Sequence, residues 1–120
     1  NVDGIKYVCG HLDFLHQKFN QELHIVFGMV NDKDISSVLQ ELPKDATYYF
    51  TKASVKRALP ENELLALAEK AGLKGTTYPT VVEAVQAAKK NCPPKDLIFV
   101  GGSSFIVADL LANRDTLNLY

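Results

Sequence analysis

Four short stretches hold the residues most able to do chemistry, and each directly follows an apolar run. Gly28-Met-Val-Asn-Asp-Lys-Asp34 supplies two carboxylates and an amine. Thr51-Lys-Ala-Ser-Val-Lys-Arg57 supplies hydroxyls and three cations, Tyr78-Pro-Thr80 a phenol and a hydroxyl, and Gly101-Gly-Ser-Ser104 two bare glycines and two hydroxyls. Gly101 and Gly102 carry no Cβ, so the backbone there can turn sharply and approach a ligand closely. Ser103 or Ser104 would add a hydroxyl and free amides at a helix start, an arrangement suited to a carboxylate or phosphate. The plain alternative is a tight turn with serine as an ordinary helix cap. No lysine completes a GxxxxGK[ST] loop, and GxGxxG is absent, so neither a P-loop nor a dinucleotide fingerprint is present.

The other candidates divide in the same way. Asp32 could orient a cationic group or a metal-bound water, whereas Asp34 reads as a helix cap and Lys33 as solvated. Arg57, with its planar fork, is the better anion ligand among the cations after the second apolar run, and Lys52 and Lys56 read as surface charge. His11, His16 and His24 read as surface or rim residues. His11 and His16 are not at a helical ligand spacing and no cysteine or carboxylate joins them, so no metal site is expected.

The elements that must position these residues follow from periodicity. Ile5, Val8, Cys9, Leu12, Leu15 and Phe19 recur every three or four residues, predicting a helix over 3–21 that begins near Asp3. Short β-branched and aromatic runs predict strands at 23–29, 46–51, 76–78 and 97–100. Between them lie helical stripes: Ile35, Val38, Leu39 and Leu42 behind Asp34; Leu64, Leu65, Leu67 and Ala68 between Pro60 and Gly72; and Val81 to Ala88 behind Thr80, ending before Pro93-Pro94. Ser103 opens a last helix, and 116–120 could add a terminal strand. Alternating helices and strands that are apolar on both faces predict a three-layer α/β fold with a mostly parallel sheet. In such sheets ligands bind beyond the carboxyl ends of the strands, where all four chemical stretches fall.

Composition bounds the partners. The chain has 120 residues, 47% hydrophobic, with 13 Lys plus Arg against 14 Asp plus Glu. That length fits a single domain over 1–120, and the charge balance argues against nucleic acid. No apolar run approaches the roughly 20 residues that span a bilayer, and the start lacks the pattern of a secretory signal. Cys9 and Cys92 read as reduced core cysteines of a cytoplasmic protein. The chain opens in a helix with no strand to feed it, which a fragment of a longer protein and a natural helix-first domain explain equally well.

Taken together, Gly28 to Ile35, Thr51 to Pro60, and Asp96-Leu-Ile-Phe-Val-Gly-Gly-Ser103 with Phe105 to Leu111 resemble the C-terminal domain of the folylpolyglutamate synthase/dihydrofolate synthase family, within the Mur ligase superfamily. The resemblance runs over essentially the whole chain and implies a Rossmann-like domain. Asn1-Val-Asp-Gly-Ile5 is similar to the end of the family's D-x-[AG]-H-N motif and the helix after it, which implies that the domain is truncated at its N-terminal edge. The motif's Asp and His would then lie upstream.

The resemblance implies an ATP-dependent ligase. ATP phosphorylates a carboxylate of dihydropteroate or folate, the amine of L-glutamate attacks the acyl phosphate, and phosphate leaves. ATP and Mg2+ would be held mainly by an N-terminal ATPase domain of the same chain, so this fragment should bind no cofactor or metal, hold no catalytic residue and be inactive alone. Ser103, with Gly102, matches the family's Gly-Ser turn and is implied to contact glutamate. Arg57 is implied to meet substrate or the other domain. Asp32, Lys33 and Asp34 match a segment implied to shape the crevice or the interdomain contact, as does Asn1. The rival expectation is an autonomous small-anion-binding or interaction module. A phosphoacceptor domain would need an acidic residue and a lysine where Tyr78-Pro79 and Gly101-Gly102 stand.

Overall fold

A computed structural model describes residues 18, 22–31, 34–93 and 96–118. The helix expected over 3–21 falls almost wholly outside them, as do Asn1, Asp32, Lys33 and Cys9. The described elements run β1 (Leu23–Gly28), α1 (Ile35–Glu41), β2 (Ala46–Phe50), α2 (Glu61–Lys70), β3 (Gly75–Thr77), α3 (Val81–Asn91), β4 (Leu97–Gly102) and α4 (Ser104–Ala112). The four strands form one sheet in the order β3-β2-β1-β4, and every pairing is parallel.

Side-chain alternation explains why both faces must be covered. Leu23, Ile25 and Phe27 of β1 pack with Tyr48 and Phe50 against α1 and α2, through Ile35, Val38, Leu39, Leu64 and Ala68. The opposite face of the same strands, Val26 and Tyr49, packs against Val81, Ala84, Val85 and Ala88 of α3 and Ile106 of α4. All six residues of β1 are buried, as a central parallel strand requires. Each fully buried side chain such as Phe27 or Leu39 contributes about 1.5–3 kcal/mol. The α/β reading therefore holds, and the strand order adds what periodicity could not supply.

Local chemistry sets the element ends. The Thr80 hydroxyl accepts from the Glu83 amide at 3.2 Å, capping α3. Asp34 stands at the cap position of α1, but its side chain makes no capping hydrogen bond. Over its described residues, Thr116 to Asn118, the expected terminal strand is replaced by turn; 119 and 120 lie outside the described residues. Leu117 is instead buried with α3 and α4, its carbonyl accepts from Lys89 Nζ at 2.6 Å, and Asn118 takes the left-handed conformation at φ 59°. Burial of this one apolar side chain between helices takes the segment away from the sheet.

Candidate functional site at the carboxyl end of the sheet

The strand order reverses between β1 and β4. From β1 the chain winds outward through β2 to β3, then crosses back through α3 to place β4 on the far side of β1. Ligands of open α/β sheets bind at such a reversal, outside the strand carboxyl ends. There Gly28 lies opposite Gly102 in register, and the Ser103 amide donates to the Gly28 carbonyl at 2.9 Å. A Cβ on Gly28 would stand 2.5 Å from the Thr51 carbonyl oxygen and 2.6 Å from Ile106 Cδ1. Gly102 has φ +109°, and a Cβ there would collide with the Gly28 carbonyl. Two bare glycines are what allow β4 to close on β1 and turn at once into α4.

Beside these glycines sit two hydroxyls without partners. Thr51 is 0% exposed, and its amide donates to the Phe27 carbonyl at 2.9 Å, yet Thr51 Oγ1 makes no hydrogen bond. Ser103, at the cap position of α4, makes no capping bond, and its Oγ is likewise buried and unpartnered. An unsatisfied buried hydroxyl costs about 1–3 kcal/mol, so each of these two has capacity for a bound water or a ligand. Both flank Gly28.

The neighbouring loops are tied into the same rim. The Asn31 amide donates to the Arg57 carbonyl at 2.8 Å, the Leu59 amide to Met29 at 2.8 Å, and Val30 bridges Ala58 in antiparallel fashion. This zipper puts exposed Arg57 and the helix-start residue Asp34 on the edge that Ser103 occupies. The Ser54 amide and hydroxyl both donate to the Asp109 carboxylate, at 2.8 and 2.9 Å, fastening the β2–α2 loop to α4. A cleft of about 450 Å³ opens there, lined by Ser54, Thr80, Val81 and Asp109 among others. Ser103, Gly102, Arg57 and Asp34 thus share one edge. Thr51 opens one of the four polar stretches of the sequence but was not singled out there, because a β-branched residue after Tyr-Tyr-Phe also reads as the strand's own.

The amino end of the sheet differs from expectation. His24 is not a surface residue: it is 8% exposed, and its Nδ1 lies 2.9 Å from the Tyr49 hydroxyl. Its Nε2 is 3.7 Å from Asp96 Oδ2, and Cys92 joins them. Cys92 is half-buried at the end of α3 and not a core residue, and its thiol is free. Burial, then the Asp96 carboxylate, push the Cys92 thiol pKa up, and burial pushes the Tyr49 phenol up.

A parallel sheet with a β1/β4 reversal, glycines at both strand ends and a serine opening the next helix define a three-layer, Rossmann-like α/β domain. Comparison with known proteins gives the class its name. Residues 1–104 match the family model of the Mur ligase glutamate ligase domain, and the chain belongs to that family. A dihydrofolate synthase/folylpolyglutamate synthase of Buchnera aphidicola is 31% identical over 123 residues, covering 100% of this chain and 28% of that protein. Among solved structures, E. coli FolC in complex with DHPP and ADP has a TM-score of 0.85 at 25% identity, covering 98% of this chain and 27% of that one. The Yersinia pestis bifunctional folylpolyglutamate synthase/dihydrofolate synthase complexed with AMPPNP and Mn ion shares the fold, with a TM-score of 0.79 at 22% identity over 96% of this chain and 27% of that one. The chain thus spans little more than a quarter of the length of these relatives.

Proposed function

We propose that this chain is the C-terminal glutamate-ligase domain of a longer cytoplasmic, ATP-dependent enzyme that joins L-glutamate to dihydropteroate or folate. The observation that carries the reading is the buried, unpartnered Ser103 hydroxyl at the start of α4, set against Gly28 and Gly102 at the strand-order reversal. A hydroxyl and helix-start amides there suit a carboxylate of the incoming amino acid. Thr51 lies across Gly28 and gives a second donor from the floor of the same corner. Arg57 on the zippered loop meets substrate or the ATPase domain, and Asp32, Lys33, Asp34 and Asn1 shape the contact between domains.

This chain has no P-loop sequence, so ATP and Mg2+ would be held mainly by the ATPase domain. When bound to the ATPase domain they supply the phosphoryl group that activates the pteroate or folate carboxyl. This domain's part is to hold glutamate so that its amine faces that carboxyl, and to exclude water that would hydrolyse the acyl phosphate.

The experiment is to assay the complete polypeptide and this chain separately. The complete polypeptide should turn over ATP only with both glutamate and a pteroate or folate acceptor, and this chain alone should hydrolyse none. ATP turnover by the complete polypeptide that ignores glutamate contradicts the reading, as does tight glutamate binding by this chain alone, the behaviour of an autonomous anion-binding module.

A further inference from the structure

We infer that His24, Cys92 and Asp96 form a site for one zinc-class divalent metal at the amino end of the sheet, remote from the glycine-serine corner. One ligand atom from each of the three lies within 4.8 Å of the others. The His24 Nε2 to Asp96 Oδ2 separation is 3.7 Å. Metal–ligand bonds of about 2.0–2.3 Å in a tetrahedral site imply ligand separations of about 3.3–3.7 Å. The nitrogen and oxygen therefore already stand at a tetrahedral ligand separation, and the sulfur lies within 4.8 Å of them on a half-buried side chain whose hydrogen bond to the Pro93 carbonyl is a long 3.5 Å.

The surroundings hold the ligands as metal sites do. The Asp96 side chain is 4% exposed, and its Oδ1 accepts from the Glu22 amide at 3.2 Å, leaving Oδ2 turned to His24. The Tyr49 hydroxyl sits on Nδ1 of His24 at 2.9 Å. A hydroxyl can accept as well as donate, so it can accept a hydrogen bond from Nδ1–H while the Nε2 lone pair takes the metal. The three ligands come from the second residue of β1, the residue after α3, and the residue before β4. Binding would clamp β1 to its neighbour β4, the edge strand of the described sheet, at their starts.

Ligand chemistry selects the ion. Sulfur with imidazole and one carboxylate favours zinc over magnesium or calcium, which take oxygen alone. A water fills the fourth position. On binding, the Cys92 thiol gives its proton to solvent and its sulfur forms the metal bond.

The test is a titration of the metal-free full chain with Co2+. One equivalent should produce a thiolate-to-cobalt charge-transfer band, and Zn2+ should displace it. Cys92→Ser should remove the band and Cys9→Ser keep it, while Tyr49→Phe should weaken affinity about tenfold or more. Zn2+ should also raise Tm and protect Cys92 of the unmodified chain from alkylation, a readout that does not depend on any variant folding. No band, a band that survives Cys92→Ser, or alkylation of Cys92 unaffected by Zn2+ would overturn the inference. None of these outcomes bears on the glutamate corner.

Discussion

The two ends of the sheet treat polar groups in opposite ways. At the amino end His24, Tyr49 and Asp96 are buried or nearly so, and each has a partner at hydrogen-bond or ion-pair distance. At the carboxyl end Thr51 and Ser103 keep buried hydroxyls with none, beside glycines whose backbones touch. Partnered polar groups at one end contribute to holding β1 and β4 together. The unpartnered ones at the other end cost stability.

That contrast can be broken by substitution. Gly102→Ala should have the largest effect, because it combines strain at φ +109° with a collision on the Gly28 carbonyl. A loss of about 3 kcal/mol or more is expected in urea denaturation. Tyr49→Phe should cost about 1–2 kcal/mol in the same assay by stranding His24 Nδ1. Thr51→Val should go the other way. Removing an unpaired hydroxyl from a 0% exposed site should leave stability unchanged or raise it by up to about 1 kcal/mol. A clear loss in Thr51→Val would mean that the hydroxyl does structural work and that the two ends are alike.

The smallest effect is alkaline. The folded chain raises both the Cys92 and Tyr49 pKa values, so the unfolded chain releases those protons first. The associated stability is present below the ordinary thiol and phenol values and is lost as pH rises through the raised ones. Denaturation midpoints should fall above about pH 9, and Tyr49→Phe should flatten the part above the phenol's ordinary value.

How much of this was legible in the sequence follows the range of the interactions. Local patterns sufficed for the strands, for Thr80 as a cap and for Ser103 at a helix start, since periodicity and capping act over a few residues. The crevice was legible too, because every polar stretch follows an apolar strand. The amino-end cluster was not: His24 meets Tyr49 25 residues away, and only the parallel pairing of β1 with β2 and β4 brings Tyr49 and Asp96 to it. A histidine opening a strand therefore looked like a rim residue. The turn found at 116–118 in place of the expected strand has the same origin, since the fate of Leu117 depends on packing against α3 and α4 that no local pattern records.

The central claim is that the glycine-serine corner receives the carboxylate of glutamate. Its most direct test is the Michaelis constant for L-glutamate of Ser103→Ala in the complete polypeptide. A hydrogen bond to a charged group is worth about 1.5–3 kcal/mol, so the constant should rise about ten- to a hundredfold, with that for ATP unchanged. Unaltered glutamate kinetics would contradict the account.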